Sequence, residues 1–162
     1  MRRDARGFSL IELLIVVAII LIIAAIAIPN LLRSRIVANQ ASAIGSIRII
    51  NTAEVTYYSS FGQGYSTTLV KLGPPAAGSP ADTSAAGLID SVLASGVKSG
   101  YSFSYTPNLL DGSGKYQGYT LTGVPTQVGT TGSAYYFTDQ TYVIRGNTTG
   151  PSATASDSPV AQ

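Results

Sequence analysis

Sixteen consecutive apolar residues, Leu13 to Ile28, constrain this chain more than any other feature. Extended back to Phe8, the block holds 21 residues, of which only Ser9 and Glu12 are polar. At a helical rise of about 1.5 Å per residue, such a block spans roughly 30 Å, the thickness of bilayer hydrocarbon. It is long enough to cross a membrane as a helix. Glu12 is out of place there. A carboxylate inside a span costs about 3 kcal/mol on some scales and far more on others. The nearest cations, Arg3 and Arg6, lie on the far side of Gly7, and nothing nearby in the same helix is expected to offset that cost.

Two ordinary readings compete for this block. A secretory signal also has a basic n-region and an apolar h-region, and Ala25-Ile26-Ala27 has the small residues of a cleavage site. Typical h-regions run to about 7–15 residues, however, and have no use for a glutamate. The other is a plain single-span anchor. A third reading rests on the junction itself. Arg2, Arg3 and Arg6, then Gly7, then Phe8-Ser9-Leu10-Ile11-Glu12 ahead of the apolar run resemble the processing site of type IV prepilins and type II secretion pseudopilins. The resemblance covers residues 1–60 strongly and the remainder more loosely.

The resemblance implies that a dedicated prepilin peptidase and N-methyltransferase cuts after Gly7, on the cytoplasmic side, and methylates the new amine of Phe8. Glu12 is then the fifth residue after the junction and Pro29 the twenty-second, as in the family. Phe8, Glu12 and Pro29 become the expected assembly residues. The resemblance also implies a subunit held in inner-membrane lipid with its C-terminal part outside the cytoplasm, an inner-membrane assembly platform as partner, and a homopolymer at the cell surface. Arg33 and Arg35 follow the span closely, so the charge asymmetry of its flanks does not fix this orientation.

The chain has 162 residues, enough for one modest domain beside the apolar block. Of its ten basic and eight acidic residues, three and one lie in residues 1–7, leaving seven of each after processing. A near-neutral subunit suits a polymer, whereas a dedicated nucleic-acid binder carries a basic patch. Cysteine and histidine are both absent. That excludes thiol chemistry, thiolate metal sites and the disulfide that staples the variable loop of many pilins, and it removes the commonest general base. No catalytic constellation and no cofactor site is evident, so an enzyme is the least favoured class.

Past the apolar block the pattern becomes amphipathic. Val37, Ala41, Ile44, Ile47, Ile50, Tyr57 and Phe61 recur at three- and four-residue steps, with Glu54 occupying one step. Arg35, Asn39, Ser42, Ser46 and Asn51 mark the polar side. Gly62-Gln63-Gly64 supplies a stop. A helix from Phe8 to about Ser60 would be roughly 80 Å long. A coiled coil is the plain reading of such length. A two-part helix, with a membrane and filament-core half at 8–30 and an amphipathic half at 31–61, fits the change of face at Pro29. Proline removes the partner of the Ala25 carbonyl and predicts a kink, which membrane helices tolerate. In assembled pilins the segment before this proline can melt, here Leu21–Ile28. Many pilins have a glycine near its start, where this chain has Leu21.

Residues 62–146 read as a globular α+β head, giving the type IV pilin fold: a long helix on an antiparallel sheet of about four strands. Tyr65 to Pro80 reads as loop and Ala85–Ala94 as a short helix. Strands are expected at 101–105, 116–124, 134–138 and 141–145, with Asp111-Gly112-Ser113-Gly114 as a turn. Residues 147–162 read as a mobile tail. Asp111 is a weak calcium candidate, because such a site needs several converging oxygens and only Asp139 is available as a second carboxylate. Asn147-Thr148-Thr149 matches a glycosylation acceptor by chance. Tyr57, Tyr58, Tyr101, Tyr105 and Tyr119 are expected to pack between helix and sheet with their hydroxyls at the edge. They make a poor conduction path, since the helix has no aromatic residue between Phe8 and Tyr57.

These readings converge on a non-enzymatic subunit resembling a major type IV pilin. A type II secretion pseudopilin is the alternative, and a membrane-anchored binding module that never polymerises is the second.

Overall fold

The computed structural model describes residues 8–160. Gly7 and the rest of the expected leader lie outside the described residues. One helix, α1 (Leu10–Phe61), runs through Pro29 and through Leu21–Ile28. The chain divides into two compact units, one ending at Arg35 and the other beginning at Ile36. In the first, α1 carries a window of mean hydropathy 3.3 with none of it buried. By length and composition it can cross a membrane.

The second unit is the head. It contains the rest of α1, two short helices, α2 (Leu69–Leu72) and α3 (Ser91–Ala94), and a five-stranded sheet. The strands are β1 (Val97–Lys98), β2 (Tyr101–Leu110), β3 (Tyr116–Pro125), β4 (Tyr135–Asp139) and β5 (Arg145–Asn147). They pair in sequence order, each antiparallel to the next. Short connections favour such a meander. The long pair β2–β3 registers Tyr101 against Pro125 and Leu110 against Tyr116.

The core forms where the buried face of α1 meets one face of the sheet. Ala43, Ile47, Ile50, Ala53 and Tyr57 pack with Tyr101, Phe103, Tyr119 and Leu121, and with Leu69, Leu72 and Leu93 from the short helices. Gly123 lies opposite Phe103 in the ladder. A side chain there would meet the Phe103 ring at 3.3 Å and Ile47 Cδ1 at 3.5 Å, so the glycine makes room for both. At the other end, α1 stops as expected. The Gly62 N–H returns to the Tyr58 carbonyl with Gly62 at φ +60°, the left-handed cap geometry that glycine adopts without strain.

Several sequence expectations shift. Ser46 and Asn51, assigned to the polar side of α1, are buried. Val37 and Ala41, assigned to the apolar side, are exposed. Leu69–Leu72 is helical where loop was expected. The helix expected at Ala85–Ala94 shortens to α3, because Ala86, Leu88 and Ile89 donate their amides to the carbonyls of Lys71 and Leu72 instead. The Asp90 carboxylate then caps α3 by accepting from Leu93 N. The last strand begins at Arg145, not Thr141: Thr141 bonds back to the Asp139 carboxylate and Tyr142 takes φ 62°, which extends the turn.

Residues 147–160, read as a mobile tail, fold back on the head. Val160 N donates to Ile144 O at 2.8 Å, Gly146 N to Ser158 O at 3.0 Å, and Arg145 Nη1 to Asp157 O at 2.9 Å. Ala153 is buried against Tyr135 and Phe137, and Val160 packs on the main core.

Candidate functional site

The N-terminal start of α1 is built by a short local device. Phe8 and Ser9 precede the helix, and Phe8 is 80% exposed. The Ser9 amide donates to Glu12 Oε2 at 2.9 Å. Ser9-Leu10-Ile11-Glu12 has the S-x-x-E spacing of a capping box, and this bond is its returning half. The first amides of a helix have no partner within it, and the helix dipole places positive charge there. A carboxylate in the first turn answers both. Glu12 thus has a hydrogen-bond partner just ahead of its helix, the Ser9 amide, which the sequence reading did not identify. The sequence signal for it is the S-x-x-E spacing, which lies at the edge of the apolar run.

Downstream of this start, Leu13 to Ile28 present an uninterrupted apolar surface, and Pro29 follows within the helix. Phe8 and Glu12 share the first turn. Pro29, 17 positions beyond Glu12, is about 25 Å further along the helix.

The other candidate positions serve the head. Asp111 closes the β2–β3 hairpin: Oδ1 accepts from Ser113 N, Ser113 Oγ and Lys115 N, and Oδ2 accepts from Gln117 Nε2. These bonds, that of the Lys115 amide first, hold its pKa well below the ordinary carboxylate range. Its acceptor sites are spent on its own loop. Asp139 is likewise engaged by Thr141 N and Oγ1. Among the described residues no three acidic, cysteine or histidine side chains converge on a metal-sized site. Asn147 Oδ1 closes a turn by accepting from Thr149 N, Thr149 Oγ1 and Gly150 N.

The tyrosines sit deeper than expected. Tyr101 and Tyr119 are wholly buried, and their hydroxyls donate to Ala134 O and Asn51 Oδ1, at 2.9 and 2.8 Å. Tyr57 and Tyr105 donate to the carbonyls of Thr83 and Ser66. Of the five tyrosines singled out from the sequence, Tyr58 alone keeps an exposed ring, and its hydroxyl donates to Gln117 Oε1 at the surface. Sequence reasoning found these rings but not their partners, which lie 26 to 68 residues away on loops, on β3 and on α1 itself.

Residues 2–28 match the family described as Prokaryotic N-terminal methylation motif. Over 54 residues the chain is 48% identical to the type IV major pilin protein PilA of Myxococcus xanthus, covering 33% of this chain and 24% of that protein. Over 37 residues it is 68% identical to the type IV wide pilus major component PilA4 of Thermus thermophilus, covering 23% of this chain and 28% of that protein. The matches thus span about a quarter of the length of each relative. No solved structure matches the chain. The N-terminal part of the chain is thus similar to type IV major pilins and carries the N-terminal methylation motif.

Proposed function

We propose that this chain is the structural subunit of a type IV pilus: cleaved after Gly7, methylated on Phe8, stored in the inner membrane and polymerised into a surface filament. The observation that supports it most is the start of α1, where a processing-type junction and Glu12 open an apolar helical segment none of which is buried. A helix of that length and exposure needs an apolar environment, since exposed apolar surface is unfavourable in water by about 25 cal/mol per Å². Lipid supplies that environment before assembly, and neighbouring copies of the helix supply it afterwards. The mechanism is mechanical. Extraction from lipid exchanges one set of apolar contacts for another, so chain-to-chain packing and the Phe8 amine facing Glu12 of a neighbour decide the register.

Deleting the chain and shearing the cell surface tests this. Filaments should disappear, and intact-mass analysis of wild-type sheared filaments should give a subunit beginning at methylated Phe8. Persisting filaments with a lost secretion activity would assign the chain to a secretion pseudopilus instead. A membrane protein found only as monomer, with no filament in any fraction, would leave the anchored binding module.

A further inference from the structure

Glu54 is the one buried carboxylate among the described residues, and its residue is 0% exposed. It lies on the inward face of α1, between Ile50 and Tyr57. Its partner is Ser66, also fully buried, on the connection between α1 and α2. Ser66 N donates to Glu54 Oε2 at 3.0 Å, and Ser66 Oγ lies 2.5 Å from Glu54 Oε1. Ser66 Oγ is also 3.2 Å from Thr68 O, and the Ser66 carbonyl accepts from Tyr105 Oη at 3.0 Å. The titratable groups facing Glu54 are Tyr57 on its own helix, Tyr65 on the connection, Tyr105 on β2 and Tyr119 on β3. All four are phenols, neutral at ordinary pH. The one ion pair among the described residues, Lys98–Asp90, is elsewhere.

Proton counting favours the neutral acid. Protonated on Oε1, Glu54 donates to Ser66 Oγ, Ser66 Oγ donates to Thr68 O, and Ser66 N donates to Oε2. Each donor then has one acceptor. In the ionised form the single hydroxyl proton of Ser66 faces two acceptors, Oε1 and Thr68 O, and must abandon one. The charge is also left buried without a cation, an unfavourable state for a carboxylate.

We propose that neutral Glu54 latches the Gly62–Thr68 connection onto α1, and that ionisation of Glu54 releases this connection. The segment is otherwise held by Tyr65 N on Tyr116 O, by Lys115 Nζ on Gly62 O at 2.7 Å, by Tyr105 Oη on Ser66 O, and by the Tyr65–Tyr142 hydroxyl pair at the surface, 2.6 Å apart. Releasing it therefore rearranges an exposed tyrosine patch of the head. Burial raises the pKa of Glu54, against the opposing effect of the Ser66 bonds and of the nearby Tyr105 hydroxyl. A carboxyl group with a raised folded-state pKa contributes stability that is full below the ordinary glutamate pKa and is lost as pH rises through the raised value. The latch is thus closed in acid and loosens toward alkaline pH.

The chain has only two glutamates, Glu12 and Glu54, so a chain labelled with ¹³C at glutamate carboxyls gives two signals. In detergent micelles, with full-length protein, the signal correlated to the Glu54 backbone should titrate above the ordinary value of about 4.3. Across that titration the protection factor of the Ser66 amide should fall about tenfold for each unit by which the two values differ. Glu54→Gln keeps a neutral hydrogen-bonding group and should abolish the pH dependence of Ser66 protection. A Glu54 signal titrating at or below the ordinary value overturns the proposal, and needs no variant to read. So does a Ser66 protection factor that stays constant while Glu54 ionises.

Discussion

The Ser9 amide donates to Oε2 of Glu12 at 2.9 Å, so the carboxylate that a membrane disfavours also opens the apolar helix. A carboxylate has two oxygens and about four acceptor sites. The helix cap therefore leaves capacity for an incoming ammonium, such as the Phe8 amine of a neighbouring subunit in the proposed filament.

Two substitutions at Glu12 separate cap from charge. Glutamine retains the capping-box geometry but carries no charge. Alanine loses both. If the charge registers one subunit against the next, both variants should be expressed, processed and retained in the membrane, yet give few or no filaments. Stranding one member of a strongly buried pair costs about 3–5 kcal/mol. Glu12→Asp, with shorter reach, should be partly impaired. Immunoblots of membrane and sheared surface fractions measure this. Normal filament yield from Glu12→Gln would assign Glu12 to the helix start alone.

Asn51 ties the helix to three parts of the sheet region. Its Oδ1 accepts from Tyr119 Oη at 2.8 Å, and its Nδ2 donates to Thr138 Oγ1 at 3.1 Å and to Tyr142 O at 3.4 Å. Asn51→Ala strands the buried Tyr119 hydroxyl, at about 1–3 kcal/mol for the unsatisfied group. Tyr119→Phe should cost less on its own. The double variant should cost less than the sum of the two, because both singles break the same bond. Chemical denaturation of the full chain in detergent provides the cycle. Additive costs would mean that the pair is not coupled.

The hairpin closed by Asp111 should open in acid. Its folded pKa is depressed, chiefly by the Lys115 amide, so its contribution is present above the ordinary aspartate pKa of about 3.9. That contribution is lost as pH falls below this value. Amide exchange at Ser113 and Lys115 should therefore gain protection between pH 2 and 5, after correction for intrinsic rates. Asp111→Asn should flatten the profile. The sign is opposite to that expected at Glu54, and the two loops thus report on separate groups.

Legibility in the sequence followed the range of the interactions. The turn at Asp111–Gly114 and the alternation at Tyr101–Tyr105 are local, and both were readable. β1 has only Val97 and Lys98, too few for any period. The step occupied by Glu54 was visible in the helical pattern, but its partner Ser66 lies in a loop with no pattern of its own. The tail has the composition of a mobile segment, and only Ala153 and Val160 give it apolar anchors. The S-x-x-E cap was local and readable, and was obscured by the apolar run that follows it.

Removing residues 1–32 should leave a soluble, monomeric and folded head. Every buried residue of the described chain lies at Ala43 or beyond, so the deletion takes nothing from the core. What it takes is the exposed apolar surface from Phe8 to Leu32. The remaining part of α1 keeps its packed face, and its near end keeps cross-links such as Asn39 Nδ2 to Thr131 O at 2.8 Å and Ser42 Oγ to Ser99 Oγ at 2.8 Å. Local fraying before Ile36 should be the only change, since helix ends without tertiary contacts are marginal in water. Light scattering after size exclusion should give a monomer, and circular dichroism a single cooperative melt. An aggregated product, or a melt without a cooperative transition, would mean that the apolar half of α1 contributes to the fold of the head and is more than its anchor.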